Sequence, residues 1–521
     1  MDEFPPRAWR HNPVVAVFAS GVSSMGLEIL AGRIVAPQFG SSIYTWGSII
    51  GVFLAALSAG YYLGGRRAAA KATNDRLILL LLGSAAYLAL VVFAHDLLLM
   101  VAAVIPLPGR FASLPAVVLL FGPPTYLLGF ISPYAAELSL KDGVGAASGH
   151  VYAVGTIGSI IGAFGTTFLL IPSLSVEQIG LVLGLLLVVS AFWLAREELR
   201  GRLPVLTVVV GVLLVVATAS GPIGVSTGGR VVYQTQTPYQ ELQVTDLGDT
   251  RTLYLDGQRH SAMDLDDPDR NVFTYTRYFH LPFLFTEKID RVLFIGGGGF
   301  TGPKHFVRHY NVTVDVAEID PVVIDVAKRY FSVEESDRLR IHAAGGRQYL
   351  RETNRTYDLI VLDAYKKDKV PFQLTTVEFM RLASSRLTED GILYSNLISA
   401  PSGAASRFYR AEYKTMARVF PRVYSFPTSD LGSVQNIELI ATRDPQLVTQ
   451  AELSARHERR SVAVDLSTAI AHYRTDVPTD DVPVLRDDNA PVDSLLDPMV
   501  GRRYVIEQTS AINGTPTGVQ G

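Results

Sequence analysis

Residues 291–299 read RVLFIGGGG, a short apolar run that ends in four consecutive glycines. An apolar run of this length, bounded by glycine, is typical of a buried strand in a parallel sheet. The glycines remove every Cβ from the turn after the strand, so its backbone can approach a ligand closely. We therefore predict that Gly296, Gly297 and Gly298 line a ligand-binding turn.

The sequence after this turn alternates apolar runs with helical patterns, which predicts an α/β domain with a doubly wound, Rossmann-like parallel sheet. The predicted strands are Arg291–Ile295, Thr313–Ala317, Leu339–His342, Leu359–Leu362 and Gly391–Asn396, and the predicted crossover helices are Lys304–His309, Pro321–Tyr330, Gly346–Glu352 and Thr376–Leu387. Upstream, short alternating runs predict a small antiparallel β cap with strands at Arg230–Gln234, Glu241–Asp246 and Thr252–Leu255.

Two acidic residues directly follow predicted strands, where ligands bind in sheets of this kind. Glu318 lies 22 residues after Gly296, a spacing at which a carboxylate can accept hydrogen bonds from both hydroxyls of a ribose. Asp363 follows the fourth strand and can hold a cation or accept a proton from an attacking amine. The alternatives are a solvated acid at position 318 and a strand-end cap at position 363. No Lys-Ser or Lys-Thr pair follows the glycines, which disfavours nucleotide hydrolysis.

The first half of the chain is strongly apolar. Hydrophobic residues make up 48% of the 521 residues, charged residues make up 18%, and the mean hydropathy is +0.25. Seven stretches approach the length of a membrane span: Pro13–Pro37, Tyr44–Gly64, Leu77–Ala94, Leu114–Ala136, Val151–Pro172, Ile179–Leu194 and Pro204–Thr218. Leu97–Leu107 is a candidate eighth. A series of spans, rather than one short apolar segment, predicts that no signal peptide is cleaved.

The orientation of these spans depends on their number. The loop with Arg66, Arg67, Lys71 and Arg76 predicts a cytoplasmic side after the second span and therefore a cytoplasmic N-terminus. Seven spans then place the second half of the chain outside. Eight spans place it inside but leave the basic loop at residues 196–202 outside, so the sequence leaves both open.

Within the spans, Gly155, Gly158, Gly162 and Gly165 recur at helical spacing, which predicts close packing of two helices. Glu28 is an ionisable residue in the first span. It is a candidate for a polar pathway or an interhelical pair, because such groups are costly in a bilayer. We find no inverted repeat of the kind that many transporters carry.

Charge and cysteine content exclude several classes of function. The 46 Lys and Arg residues are balanced by 49 Asp and Glu, a net charge of -3, so no nucleic-acid partner is expected. The chain has no cysteine, which excludes disulfides, a thiolate nucleophile, iron–sulfur clusters and Cys-ligated zinc. No metal site is predicted.

Six motifs in the second half together resemble the polyamine aminopropyltransferases, the spermidine synthase family. They are Thr237-Pro-Tyr-Gln-Glu-Leu-Gln-Val244, Leu255-Asp-Gly257, Phe294-Ile-Gly-Gly-Gly298, Ala317-Glu-Ile-Asp-Pro321, Asp358-Leu-Ile-Val-Leu-Asp363 and Asp487-Asp-Asn-Ala-Pro-Val492. The first half is similar to the membrane region of the fused members, through Ala36-Pro-Gln-Phe-Gly-Ser-Ser42, Gly60-Tyr-Tyr-Leu-Gly-Gly65 and Gly149-His-Val-Tyr-Ala-Val-Gly155.

This resemblance implies transfer of an aminopropyl group from decarboxylated S-adenosylmethionine, a co-substrate, to a polyamine-type amine, with release of methylthioadenosine and no other cofactor. It implies that Gln240 contacts the sulfonium donor, that Gly296–Gly298 line its binding turn and that Glu318 holds the ribose. Gly346 would lie beside the adenine, and Asp363 would deprotonate the amine.

The expected partners are the amine, the adenosyl donor and the lipid bilayer, and family members commonly form homo-oligomers. The implied organisation is a multi-pass membrane domain (1–224), the β cap (225–288), the Rossmann-like domain (289–500) and a tail (501–521). Because the donor is an intracellular nucleoside, we expect an integral protein of the cell membrane with a cytoplasmic second half.

Departures from the family pattern bear on substrate choice. Gly299 stands where the family has an aspartate that binds the donor's aminopropyl ammonium, and Gly345 replaces its adenine-side aspartate. Lys366 replaces a second acid, which disfavours putrescine because a lysine repels a diamine's far ammonium. Tyr275, Thr276 and Arg277 stand where the family has other amine-binding residues. Two alternatives stay open: an S-adenosylmethionine-dependent methyltransferase, and a non-catalytic adenosyl- or polyamine-sensing domain on a transporter-like membrane half.

Overall fold

A computed structural model describes residues 13–40, 42–105, 107–139, 144–195, 202–220, 229–367, 369–499, 502–509 and 516–517. The chain divides into two units, Met1–Ser226 and Thr227–Gly521. The expected domain boundary between positions 224 and 225 lies outside the described residues.

The first unit is helical. Its helices are α1 (Val14–Phe39), α2 (Ile43–Lys71), α3 (Asn74–Ala103), α4 (Leu114–Gly129), α5 (Ile131–Leu138), α6 (Val144–Gly165), α7 (Val176–Ala195) and α8 (Arg202–Ser220). α4 and α5 together make one long apolar segment, Leu114–Leu138. Among the described residues, seven helical segments are therefore long and apolar enough to cross a membrane.

The candidate eighth span at Leu97–Leu107 is wrong. The residues from Leu97 to Ala103 are the last two turns of α3, which continues past His95 and Asp96 without a break. No proline separates Leu77 from Ala103, so the two predicted segments form one 30-residue helix.

The predicted close packing occurs between α6 and α1, at Gly155, Gly158 and Gly162. A Cβ on Gly158 would lie 2.5 Å from the Phe18 carbonyl oxygen, and a Cβ on Gly162 would lie 2.3 Å from that of Val22. Both carbonyls belong to α1, so the backbones of α1 and α6 touch at these positions. Gly165 has nothing within 4 Å of its Cβ direction.

The second unit begins with a four-stranded antiparallel sheet in the order β1-β2-β3-β4. Its strands are β1 (Arg230–Gln236), β2 (Glu241–Leu247), β3 (Thr250–Leu255) and β4 (Gln258–Asp264). The first three match the predicted cap. β4 was not predicted, because Gln258-Arg-His-Ser261 shows no alternation of apolar and polar residues.

The larger sheet has seven strands in the order β10-β11-β9-β8-β5-β6-β7. Its strands are β5 (Arg291–Ile295), β6 (Thr313–Glu318), β7 (Leu339–Ala343), β8 (Tyr357–Leu362), β9 (Leu387–Ser399), β10 (Arg422–Pro427) and β11 (Gln435–Thr442). The helices of this part of the chain are α9 (Thr301–His309), α10 (Pro321–Tyr330), α11 (Gly346–Glu352), α12 (Val377–Ser385), α13 (Arg407–Met416), α14 (Gln450–Arg459), α15 (Ser467–Ala471) and α16 (Val492–Leu496). Two further short strands, β12 (Gln508–Thr509) and β13 (Pro516–Thr517), form a separate antiparallel pair. All five predicted parallel strands are present; β10 and β11 pair antiparallel and were not predicted.

Both faces of this sheet are buried. In β5, Val292 and Phe294 pack into one apolar cluster, while Leu293 and Ile295 pack into another. This alternation explains why the strand reads as an unbroken apolar run. The predicted Rossmann-like fold class is confirmed.

The strand order determines where the polar residues meet. β5 lies between β8 and β6, and β9 is the next strand beyond β8. Gly296, Glu318 and Asp363 therefore lie at the carboxyl ends of three neighbouring parallel strands, at the point where the strand order reverses.

The segment predicted as a tail is part of the second unit where it is described. The Val505 backbone N–H donates to the Val434 carbonyl over 2.9 Å, and the Thr509 N–H donates to the Val272 carbonyl over 2.9 Å. The predicted boundary at residue 500 therefore separates residues that are hydrogen-bonded to one another in the fold.

Candidate active site

A cavity of about 370 Å³ opens at the carboxyl ends of the central strands. Its wall includes every residue that the sequence analysis assigned to the site: Gln240, Gly296, Gly297, Gly298, Glu318, Gly346 and Asp363. The cap contributes Gln240 and, from β4, His260 and Ser261. Most of the other lining residues follow the strands of the larger sheet, while Tyr275 and Tyr504 come from segments outside both sheets, so the cavity lies between the cap and the larger sheet.

The turn after β5 requires glycine for two reasons. Gly296 has a φ of +95°, and a Cβ there would lie 2.3 Å from the backbone oxygen of Asp363. The turn therefore passes directly over the end of β8. Gly346, at the start of α11, is equally constrained, because its Cβ would lie 2.1 Å from the Cγ2 atom of Ile295.

Glu318 holds the glycine turn in place. Its Oε2 atom accepts from the Gly297 N–H over 2.8 Å, and its Oε1 atom accepts from the Asp320 N–H over 2.9 Å. Burial raises the pKa of this carboxyl group. Each carboxylate oxygen has a second lone pair, so Glu318 can also accept from ligand hydroxyls.

Asp320, which was not among the predicted site residues, links the cap to the larger sheet. It is fully buried, and the Thr237 hydroxyl donates to its Oδ2 atom over 2.6 Å. The Gln240 Nε2 atom lies 3.5 Å from the same oxygen. Asp320 thereby positions the chain turn that carries Gln240. Asp320 is also the N-cap of α10, and its place before Pro321 in the sequence gives no signal of the contact with the cap.

Asp363 faces the glycine turn from the end of β8. Its Oδ1 atom accepts from the Asn396 side-chain amide over 2.8 Å. Burial raises the pKa of Asp363 to about 6, and the hydrogen bond from Asn396 opposes that rise. The group is therefore mainly ionised at neutral pH and able to take up a proton.

A chain of hydrogen bonds extends behind Asp363. The Asn436 side-chain amide donates to Asn396 Oδ1 over 2.8 Å, and the Tyr504 hydroxyl donates to Asn436 Oδ1 over 2.6 Å. All three residues line the cavity. The chain fixes the orientation of the Asn396 amide and hence that of Asp363.

Lys366 lines the cavity, and its charge is paired. Its Nζ atom lies 2.7 Å from Asp256 Oδ2, with 12% and 21% of the two side chains exposed. Asp256 lies in the turn between β3 and β4 with a φ of +51°. Burial and the neighbouring Lys366 lower the pKa of His260 to about 3, so its imidazole is neutral. Of Tyr275, Thr276 and Arg277, only Tyr275 is among the lining residues.

The two glycines that depart from the family pattern differ in their surroundings. At Gly299, a Cβ would lie 2.7 Å from the Ser261 Cβ, and the Ser261 hydroxyl accepts from the Gly299 N–H over 2.8 Å. At Gly345, the only nearby atom is Ile319 Cδ1 at 3.8 Å. Position 299 is therefore closed to a side chain, whereas position 345 is open to one.

Comparison with known proteins supports the likeness at the level of sequence. The profile of the spermine/spermidine synthase domain matches residues 273–425. The polyamine aminopropyltransferase of Vibrio vulnificus is 32% identical over 205 residues, which cover 38% of this chain and 67% of the relative. The chain belongs to the polyamine aminopropyltransferase family. It is accordingly a transferase of polyamine biosynthesis.

Two further aminopropyltransferase-like proteins give the extent of the similarity. Polyamine aminopropyltransferase 2 of Aquifex aeolicus is 20% identical over 479 residues, which cover 85% of this chain and 90% of the relative. That alignment extends beyond the second unit into the apolar half. A crystal structure of a probable spermidine synthase from Corynebacterium glutamicum covers 50% of this chain and 96% of its own, with a TM-score of 0.41 and 17% identity.

Proposed function

We propose that this membrane-bound aminopropyltransferase moves an aminopropyl group from decarboxylated S-adenosylmethionine to a polyamine-type amine and releases methylthioadenosine. The observation that carries the proposal is the placement of Asp363 opposite the glycine turn and Glu318 in one cavity. Asp363, with a pKa of about 6, therefore lies across the cavity from the glycine turn and Glu318, which together could bind a nucleoside.

The donor would bind along the glycine turn. Gly296–Gly298 present backbone where side chains would block access, and Glu318 accepts from the ribose hydroxyls. Gly346 would lie beside the adenine, and Gln240 would contact the sulfonium end. Since in-line displacement depends on positioning, these contacts contribute by holding the propyl carbon in front of the amine. The reaction needs no metal or further cofactor.

Asp363 would act as the base. The neutral amine nitrogen attacks the propyl carbon that is bonded to the sulfonium sulfur, and a C–N bond forms. The C–S bond breaks, and its electron pair stays on sulfur, which gives neutral methylthioadenosine. The proton of the attacking amine goes to Asp363. Asn396 holds the accepting carboxylate in place.

The charges in the cavity select against a simple diamine. Among its described lining residues the carboxylates are Glu318 and Asp363, and both have other roles. Lys366, which lines the cavity and pairs with Asp256, stands where the family resemblance implies a second acid for a diamine's far ammonium. We therefore expect putrescine to be a poor acceptor.

The second unit is proposed to face the cytoplasm of a cell-membrane protein, because the donor is an intracellular nucleoside. The seven apolar helices support membrane insertion. A homo-oligomer, as is common in the family, is proposed as well.

Two variants test the site assignment separately. Asp363→Asn should lower turnover by about 10²- to 10⁴-fold, the usual contribution of a general base, and leave donor binding largely intact. Glu318→Gln should weaken donor binding in titration calorimetry. Gln348→Ala is the matched control, because Gln348 lines the same cavity while its amide donates to Glu352. Full turnover by Asp363→Asn would contradict the proposal.

A further inference from the structure

A second group of polar side chains lies outside the cavity, on α9 and the segment after β4. Asp269, His305 and His309 each offer one ligand atom, and these atoms lie within 4.8 Å of one another. The two histidines are one helical turn apart, with ring centroids separated by 4.1 Å. The Asp269 Oδ2 atom lies 2.6 Å from His309 Nε2.

His305 is the unusual member of this group. It is 6% exposed, and its Nδ1 atom is buried without a hydrogen-bond partner among the described residues. A buried ring nitrogen without a partner is costly, so its retention needs an explanation. A bound cation would supply the missing partner.

The neighbours of His305 determine which ring nitrogen carries the hydrogen. The Thr276 hydroxyl has a single hydrogen, and it lies 2.7 Å from the Phe273 carbonyl oxygen, which can only accept. The same hydroxyl lies 2.9 Å from Asn271 Oδ1, which would need that hydrogen too, so we assign the Asn271 amide in the flipped orientation, with its nitrogen donating to the hydroxyl. This assignment turns the Asn271 carbonyl oxygen toward His305 Nε2, 3.4 Å away.

In that arrangement His305 Nε2 donates to Asn271, and Nδ1 carries a free lone pair. Metal-binding histidines usually donate their other ring N–H to a carbonyl or carboxylate in this way. Two imidazoles and one carboxylate suit zinc, and three protein ligands leave its fourth position for water.

The surrounding charges do not prevent cation binding. Arg308 Nη1 lies 3.1 Å from Asp269 Oδ1, which leaves Oδ2 toward His309. Lys304 points elsewhere, since its Nζ atom donates to the Phe331 carbonyl over 2.5 Å. We propose that Asp269, His305 and His309 form a zinc-binding site that fixes α9 to the segment after β4.

The position of this site gives it a structural consequence. α9 directly follows the glycine turn, and β4 carries Ser261, which accepts a hydrogen bond from Gly299. A bound zinc ion would therefore connect the two segments on either side of that contact. It would stabilise the second unit against unfolding without touching the substrates.

The test uses the full chain in detergent, purified without a histidine tag and stripped with a chelator. We expect ZnCl2 to bind at one ion per chain, measured by calorimetry and by elemental analysis after desalting, and to raise the melting temperature. His305→Gln and Asp269→Asn should each weaken zinc binding by about tenfold or more. His457→Gln should bind normally, because His457 belongs to a two-residue pair with Asp465.

Melting curves without zinc show whether each variant is folded, and His309→Gln replaces His305→Gln if the latter is not. The proposal is overturned if the wild type binds no stoichiometric zinc. It is equally overturned if a folded ligand variant binds zinc as the wild type does.

Discussion

Asp363 determines the pH dependence that we expect. Burial raises its pKa to about 6, so the carboxylate is protonated and unable to act as a base below that pH. We expect kcat/KM to fall as the pH decreases through about 6. The Asn396 amide favours the charged form of Asp363. Without it, in Asn396→Ala, the pH at which kcat/KM falls should rise by about one unit.

The pH profile of kcat/KM for both proteins checks this expectation. Gln348→Ala serves again as the control, since it changes the same cavity without touching Asp363. If kcat/KM of Asn396→Ala fell at the same pH as that of the wild type, Asn396 would not lower the pKa of Asp363.

Gly345 offers a gain of function. A side chain fits there, and Gly345 is the N-cap of α11, a position that favours aspartate. Gly345→Asp would provide a charged acceptor for the adenine amine, for which we expect about tenfold tighter donor binding. Calorimetry with Gly345→Ala as the control measures this effect, and equal affinities would contradict the role of this position.

At this scale, sequence reasoning found the residues that directly follow strands. Gly296, Glu318 and Asp363 could be predicted because the carboxyl ends of parallel strands meet at one edge. Gln240 and Gly346 followed only from family resemblance. Asn436 and Tyr504 were missed because their contact with Asn396 depends on an antiparallel strand and a C-terminal segment that no local pattern indicated.

At the scale of elements, the contact between α1 and α6 is the most testable. A methyl group on Gly162 would collide with the Val22 carbonyl oxygen, so the two helices would have to separate. We expect Gly162→Ala to destabilise the protein by about 1–3 kcal/mol, a typical cost of overpacking. Thermal unfolding in detergent should show a lower melting temperature than that of Gly165→Ala, whose site is open. Equal melting temperatures would contradict the close contact.

The elements of the second unit were largely predictable where periodicity was strong. β5, α10 and α11 have the predicted bounds, because apolar runs and caps mark their ends. β4 was missed because its side chains line the cavity and are polar. The number of spans could not be decided from the sequence alone. Hydropathy falls at His95 and Asp96 and suggests two segments there, whereas α3 continues through both residues.

The orientation of the whole molecule can be measured directly because the chain has no cysteine. With seven spans, the loop before α3 and the second unit lie on opposite sides of the membrane. The basic residues at the adjoining ends of α2 and α3 favour the cytoplasm, whereas the proposed donor, an intracellular nucleoside, favours a cytoplasmic second unit, and the second orientation is the one we propose. Asp337→Cys should then be protected from an impermeant maleimide in intact cells, while Ala70→Cys reacts. The reverse pattern would contradict the proposed orientation.

The central claim is aminopropyl transfer with Asp363 as the base. The most direct measurement is mass spectrometry of the detergent-solubilised protein incubated with decarboxylated S-adenosylmethionine and a mixture of amines. We predict methylthioadenosine together with one aminopropylated amine, and neither product with Asp363→Asn. Absence of both products, with S-adenosylmethionine consumed instead in a parallel incubation, would contradict the claim and indicate methyl transfer.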